Sequence, residues 1–338
     1  MKYFSMFSGI GGMEIAIQRA FDKQSAEIEQ DRQGWNGDIN QVESDVLPTS
    51  GASPFCIGYS EIDKYAIQVY EHHFKGHKNY GDATRIVPEE LPDFDLLVGG
   101  FPCQAFSIAG KRLGFDDTRG TLFFKIARIL KVKRPKHFVL ENVKGLLSHD
   151  NGRTFKTIIS TLVELGYGVE WQVLNSKNHG VPQNRERVFI IGYFGGEGYG
   201  KVFPIGEDCE QHPKQLDLQK KSNKSCVGTL TARGEDGYPH REMRFVAQAV
   251  LTPDRLQKRQ NGRRMKEDGE PAFTLTSQDI HGVFNGSRIR RLTPTECERL
   301  QGFEDGWTDI LSDSQRYKCL GNAVTVNVVQ AIMERLHS

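Results

Sequence analysis

The sequence predicts an α/β fold, a mostly parallel sheet with helices on both faces, joined to a smaller domain that is mainly β or irregular. Three observations lead there. Short apolar runs alternate with helical stretches of about 10 to 15 residues through the first half of the chain. A glycine-rich turn, F-S-G-I-G-G, follows the first of those runs directly. From about residue 195 the alternation gives way to polar sequence rich in glycine and threonine, and helical patterning returns only after about residue 287. At 338 residues and 38% hydrophobic content the chain can bury a core of this size. The expected division is 1–194 for the sheet domain, 195–287 for the smaller one, and 288–338 for a hinge and a helix returning to the first.

Each element has a local reason. KYFSMF reads as a strand, and Met13, Ala16, Ile17, Ala20 and Phe21 then recur at helical spacing. Residues 22–54 are polar with almost no periodicity and read as a surface excursion. FCIGYS is the next strand, ending on Glu61 and feeding the helical DKYAIQVYEHHF. FDLLVGG supplies a strongly apolar strand, TLFFKIARIL a helix, HFVLENV a strand, and RTFKTIISTLVEL a helix stopped by Gly166. VEWQVLN and RVFIIGYF add two more strands. Near the end, Thr293 reads as an N-cap with Pro294 at the first helical position, Glu296 closing a capping box and Gly302 as stop. TVNVVQAIMERL gives a last helix with one apolar face.

Composition narrows the function classes. The opening MKYFSMFSGIGGM has a single lysine and an apolar run broken by serine and glycine, so neither a signal peptide nor a membrane span is expected. Six cysteines (56, 103, 209, 226, 297, 319) are scattered without C-x-x-C pairs, which argues against a zinc site or a disulfide framework and fits a reduced, cytoplasmic setting. Net charge is only +1, so a nucleic-acid partner would have to meet a local basic face. DRLQKRQNGRRMK (254–266) is the candidate, though a charge run is usually just a solvated face.

In such a sheet ligands sit outside the carboxyl ends of the strands. The residues expected there are the turn Phe7, Ser8, Gly9, Ile10, Gly11 and Gly12, then Glu61, Asp82, Pro102 to Gln104, and Glu141 with Asn142. A glycine turn alone serves dinucleotides, flavins and S-adenosylmethionine alike. Its spacing departs from G-x-G-x-x-G, and with Glu61 and Asp82 present a nucleoside without a pyrophosphate fits better. A lone cysteine is more often a small buried hydrophobe than a nucleophile. The loop G-G-F-P-C-Q-A-F-S-I-A-G-K-R shifts that balance for Cys103, because its glycines admit a substrate and Lys111 with Arg112 favour thiolate. Arg185 and Arg187 in Q-N-R-E-R are two apart and would share one face of a strand, as a ligand contact or as a surface ion-pair ladder.

Taken in order, F-S-G-I-G-G, S-E-I-D, G-D-A-T, G-F-P-C-Q-A-F-S, E-N-V, Q-N-R-E-R, R-L-T-P-T-E-C and G-N-A-V resemble the DNA (cytosine-5) methyltransferases of bacterial or phage restriction-modification type. The resemblance spans roughly 240 of the 338 residues. It implies a Rossmann-like methyltransferase sheet using S-adenosylmethionine, with S-adenosylhomocysteine as product and a target-recognition domain over 195–287. Two features depart from the family pattern: the long stretch after Phe21, and Ile62 where many members place an aromatic residue beside the adenine.

The resemblance also assigns roles. Cys103 would add to carbon 6 of a flipped-out cytosine, Glu141 would hydrogen-bond ring nitrogen 3, and Arg187 with Arg185 would hold the oxygen at carbon 2 and the adjoining backbone. The cofactor would lie against Phe7 to Gly12, Glu61, Ile62, Asp82, Ala83, Pro102, Asn322 and Val324. Double-stranded DNA is the expected partner, met by Gln104, Ser107, Lys111, Arg112, Arg233, Arg263, Arg264 and Thr274, with Thr231 and Thr276 as further base readers. A monomer without a metal is expected, bacterial or phage-encoded, with a cognate restriction endonuclease as a further partner. The competing reading is a tRNA cytosine-5 methyltransferase of DNA-methyltransferase-like type, which shares the catalytic blocks; the long, basic, T-L-T-containing variable region speaks against it. A nicotinamide-dependent oxidoreductase has no use for P-C-Q with E-N-V and Q-x-R-x-R, and a silent DNA-binding relative has no use for an intact cysteine, glutamate and arginine pair.

Overall fold

The computed structural model describes residues 1–34, 53–102, 122–196, 202–205, 248–253, 263–284 and 288–336. Among these, strands β1 (Lys2–Met6), β2 (Phe55–Ser60), β3 (Leu96–Gly100), β4 (His137–Val143), β5 (Tyr167–Asn175) and β6 (Glu186–Phe194) form one sheet in the order β2-β1-β3-β4-β6-β5. Neighbours are parallel from β2 through β4, whereas β6 runs antiparallel to both β4 and β5. The expected mostly parallel sheet is therefore present. Its one reversal follows from the short 176–185 connection, which holds no helix long enough for a crossover.

Helices cover both faces. On one side α1 (Gly12–Gly34), α2 (Lys64–His73) and α7 (Val326–Leu336) pack over Tyr3, Leu96, Val98 and Val139. On the other, α3 (Leu122–Lys133) and α4 (Arg153–Glu164) pack over Phe4, Leu97, Phe138 and Leu140. Alternate residues of β3 and β4 thus enter different cores, which is why these strands read as continuous apolar runs. Val326, Val328, Val329, Ile332 and Met333 of α7 are buried, each contributing about 1.5–3 kcal/mol. Trp307 reaches back to the other end of the chain, its Nε1–H donating to the Ile10 carbonyl at 2.9 Å.

The helix after the glycine turn is longer than expected. Residues 22–54 read as an excursion, yet α1 continues to Gly34. The extension is rich in Gln and Glu, good helix formers, and over residues 22–30 it is mostly exposed, so it offers no apolar stripe to read. Lys23 anchors it through an ion pair to Glu334 of α7 at 2.8 Å.

Beyond residue 194 the described strands are β7 (Gln248–Leu251), β8 (His281–Phe284) and β9 (Ile289–Arg291), a small antiparallel sheet. Its last strand lies past residue 287 and leads directly into α5 (Pro294–Gln301). There the capping box forms as read: Thr293 Oγ1 accepts from the Glu296 N–H at 3.2 Å and Glu296 Oε2 accepts from the Thr293 N–H at 2.8 Å. Gly302 ends the helix at φ +78°. A further helix, α6 (Asp313–Asn322), was not foreseen because its apolar face is narrow. No helix among the described residues is long and apolar enough to cross a membrane.

Candidate active site

Because β1 to β4 are parallel, the loops that follow them emerge at one edge of the sheet, and the reversed β6 begins at that same edge. A cavity of about 570 Å³ opens there, a size ordinary for small-molecule sites. Phe7, Gly9, Glu61, Ile62, Asp82, Ala83, Pro102, Glu141, Arg185, Arg187 and Asn322 all line it, so most of the expected site residues that the structure describes converge.

One half is built from the glycine turn and two carboxylates. Gly9 has φ +56°, and no heavy atom lies within 4 Å of where a Cβ would stand, so a ligand can approach bare backbone. Glu61 fixes the turn. Its Oε2 accepts from the Gly9 N–H at 2.9 Å, while Oε1 accepts from the N–H groups of Ile62 at 2.8 Å and Asp63 at 2.9 Å. Lone pairs left over can accept from ligand hydroxyls. The Thr84 N–H donates to Asp82 Oδ1 at 2.8 Å and, as the largest influence, holds that exposed carboxyl below the usual range, hence ionised. Ile62 is 72% exposed and offers an aliphatic rather than aromatic wall.

The remaining members of the expected cofactor set stand behind this lining. Ser8 Oγ donates to the Ser5 carbonyl at 3.3 Å, and the Gly11 N–H donates to the Ser8 carbonyl at 3.1 Å. Ile10 is held by Trp307, and Gly12 packs against Val324 so closely that an added Cβ would lie 2.8 Å from Val324 Cγ1.

The other half carries an ion pair. Glu141 on β4 lies diagonally across the ladder from Arg187 on β6, in a register where Val143 faces Arg187 and Glu141 faces Phe189. Arg187 Nε donates to Glu141 Oε1 at 2.9 Å with both side chains mostly enclosed, which is not a surface ladder. Burial raises the Glu141 carboxyl, opposed by the charges of Arg187 and Arg185. A Cβ on Gly100 would stand 3.1 Å from Glu141 Oε2, so the missing side chain leaves that oxygen room for a planar ligand edge.

Arg185 precedes β6 and is buried, donating to the carbonyls of Leu275 at 2.7 Å and Ala323 at 2.8 Å. Its Nε is buried without a hydrogen-bond partner among the described residues. Burial, then the Arg187 charge, pulls its guanidinium down to about 9, which leaves it cationic at neutral pH. Asn142 donates through Nδ2 to the Phe101 carbonyl at 2.8 Å and so holds the chain just ahead of Pro102.

Cys103, Gln104, Ser107, Lys111, Arg112, Thr231 and Arg233 lie outside the described residues. Cys56, Cys297 and Cys319 are free and buried, and burial pushes each thiol up to about 12, which disqualifies them as thiolate nucleophiles. No group of three or more His, Cys, Asp or Glu placed to hold a metal occurs among the described residues.

In the smaller sheet's surroundings Arg263 is paired with Glu267 at 3.5 Å and with Glu270, and the Arg264 carbonyl accepts from the Leu251 N–H at 2.8 Å. Thr274 Oγ1 donates to the Asn184 carbonyl at 2.5 Å, and Thr276 Oγ1 donates to Asp279 Oδ2 at 2.8 Å, so both hydroxyl protons are already committed. Ser60, Gly81, Phe101, Val143 and Gly321 also line the cavity; they lay inside motifs read from the sequence without being singled out, and Leu122, outside any motif, carries no signal.

Comparisons with known proteins agree with this arrangement. A family model described as C-5 cytosine-specific DNA methylase matches residues 47–338. The orphan methyltransferase M.SPRI of Bacillus phage SPR is 33% identical over 456 aligned residues, covering 99% of this chain and 97% of that protein. Type II methyltransferase M1.ScrFI of Lactococcus lactis subsp. cremoris is 41% identical over 295 residues, 82% of this chain and 70% of that one. Among solved structures, a putative DNA modification methyltransferase from an Escherichia coli prophage superimposes with a TM-score of 0.62 at 19% identity, covering 100% of this chain and 98% of its own. A DNMT2 mutant from Spodoptera frugiperda gives 0.61 at 18% identity, covering 100% and 99%. These two likenesses establish the α/β methyltransferase architecture. With the family matched over most of its length and its cavity built from that family's blocks, the chain belongs to the C-5 cytosine-specific DNA methylases and is a DNA (cytosine-5-)-methyltransferase.

Proposed function

We propose that the protein transfers a methyl group from S-adenosylmethionine to carbon 5 of a cytosine flipped out of double-stranded DNA at a specific sequence, through a covalent adduct between Cys103 and carbon 6. The observation that carries this is the Glu141–Arg187 pair standing in one cavity with the glycine turn, Glu61 and Asp82. The residues fit the cofactor: Gly9 leaves its backbone open, Glu61 and Asp82 offer carboxylates to ribose and amine groups, and Ile62 offers an apolar surface to a base. S-adenosylmethionine, when bound, supplies the methyl group as a sulfonium electrophile.

The chain's own residues do the rest. The Cys103 thiolate adds to carbon 6, and the ring electrons released by that bond make carbon 5 nucleophilic. Glu141, whose carboxyl burial favours the protonated form, hydrogen-bonds nitrogen 3 as charge develops there. Arg187 holds the oxygen at carbon 2, and Arg185 presents its unpartnered Nε nearby. Once carbon 5 carries the methyl group, loss of its proton to a base restores the double bond and expels Cys103 as thiolate. Extruding the base costs a few kcal/mol, offset by contacts to its polar edge.

DNA would be gripped by Gln104, Ser107, Lys111, Arg112, Arg233, Arg263, Arg264 and Thr274, with residues 195–287 reading sequence. A cognate endonuclease would make the protein the protecting half of a restriction-modification pair; work as a monomer in the cytoplasm suits that role. Likeness to DNMT2 chains is one of fold at 18% identity and does not favour a tRNA substrate. The test is a duplex carrying 5-fluorocytosine at the target, found first by methylation-sensitive sequencing of plasmid from expressing cells. Fluorine cannot leave as a cation, so a denaturation-resistant adduct should accumulate with S-adenosylmethionine present. Normal methylation of ordinary DNA without any adduct would overturn the covalent route.

A further inference from the structure

Resting on that reading, we infer that Gln183 is a positioning residue that makes methyl transfer depend on how the recognition segment 272–277 is seated. Gln183 is fully buried, and its carboxamide is shared between α5 and the segment 272–277. Nε2 donates to the Leu300 carbonyl of α5 at 2.8 Å, while Oε1 accepts from the Leu275 N–H at 2.8 Å. Two residues on, Arg185 donates to the carbonyl of the same Leu275 at 2.7 Å. One leucine is thus gripped by its N–H and its C=O. Main-chain bonds from the Ala272 N–H to Pro182 at 2.8 Å and from the Asn184 N–H to Ala272 at 2.9 Å continue the grip, so segment 182–185 pairs with 272–275.

From the far side the segment is closed in by Gly321, where an added Cβ would stand 2.3 Å from the Thr276 carbonyl carbon. Gly321 and Arg185 both line the cavity. Four residues beyond Ser277 the chain enters β8 of the small sheet. A shift of that sheet on DNA is therefore delivered through Leu275 to the guanidinium of Arg185. Gln183 ties Leu275 to α5, so that movement of the segment turns Arg185 and is not absorbed by a loose contact.

The test compares single-turnover methylation by the full chain on its preferred duplex and on one with a single altered base pair, each rate divided by the active sites titrated with the 5-fluorocytosine duplex. Gln183→Met keeps the volume and removes both ties. Its rate on the preferred duplex should fall about tenfold to a hundredfold, as for a misplaced catalytic group, with the preferred-to-altered ratio falling alongside and DNA affinity nearly unchanged. Gln183→Glu keeps the acceptor for Leu275 and regains the donor for Leu300 only when protonated, so its rate should recover toward wild type as pH falls. A Gln183→Met variant with the wild-type rate per titrated site and an unchanged ratio, or merely a lower Tm, would overturn the inference. If that variant yields no titratable sites, Gln183→Glu decides: a pH profile parallel to wild type overturns the inference and acid recovery supports it. Failure of the wild-type protein to form the adduct would count against the covalent reading instead.

Discussion

Arg187 Nε and Glu141 Oε1 stand 2.9 Å apart on adjacent antiparallel strands, with only 17% and 13% of their side chains exposed. The ladder fixes both, so neither has to be ordered when substrate arrives. Removing one partner leaves the other charge enclosed, which costs more than losing an exposed pair. Arg187→Lys keeps the charge but loses the planar fork, and Glu141→Gln keeps the shape but loses the titrating proton. Glu141→Gln should lower the single-turnover rate by about 10²- to 10⁴-fold with cofactor affinity unchanged, and Arg187→Lys should lower it less. A wild-type rate in Glu141→Gln would remove it from proton handling.

Cys103→Ser should abolish methyl transfer while cofactor and DNA binding persist, since an alcohol adds poorly to carbon 6. Rapid-quench turnover together with calorimetric binding checks both halves. The buried thiols of Cys56, Cys297 and Cys319 cannot substitute, so residual turnover in this variant would remove Cys103 from the mechanism.

Glu61→Ala should weaken S-adenosylmethionine binding more than Asp82→Ala. Both lose a charge-assisted acceptor, but Glu61 also holds the N–H groups of Gly9, Ile62 and Asp63, so its removal loosens the turn itself. Equilibrium dialysis should rank them in that order; equal losses would mean the turn is held without Glu61.

Glu14 lies buried in the first turn of α1, and burial pushes its carboxyl up to about 7 from an ordinary 4.5. Between those values the unfolded chain has released the proton and the folded chain keeps it, so stability falls as pH rises through 4.5 to 7. The full effect is about 3 kcal/mol, present below pH 4.5 and lost above 7. Urea midpoints for Glu14→Gln should lack that part of the pH dependence.

Strands β2 and β4 were legible to the residue, because each is a short, mostly buried run that ends where the ligand edge begins. The α5 cap was legible for a similar reason: Thr293, Pro294, Glu296 and Gly302 each satisfy a local rule. What escaped depends on distant partners. The exposed part of α1 needs no apolar stripe, and α6 is placed by contacts such as Arg291 over the Tyr317 ring, 3.6 Å from its centroid. In the site, Glu61, Glu141 and Arg187 stood at strand ends and could be picked out. Gln183 was visible only as the first letter of Q-N-R-E-R, since its role lies in Leu275 and Leu300, about a hundred residues away.

The glycine turn is finished by residues about three hundred positions further along the chain. Trp307 supplies the donor for the Ile10 carbonyl, Val324 packs on Gly12, and Gly321 with Asn322 walls the cavity that Phe7 and Gly9 open. During translation the turn is therefore completed only after residues 307–324 have emerged. A chain that stops short of them carries Glu61, Asp82 and Glu141 but not the side chains that close the turn.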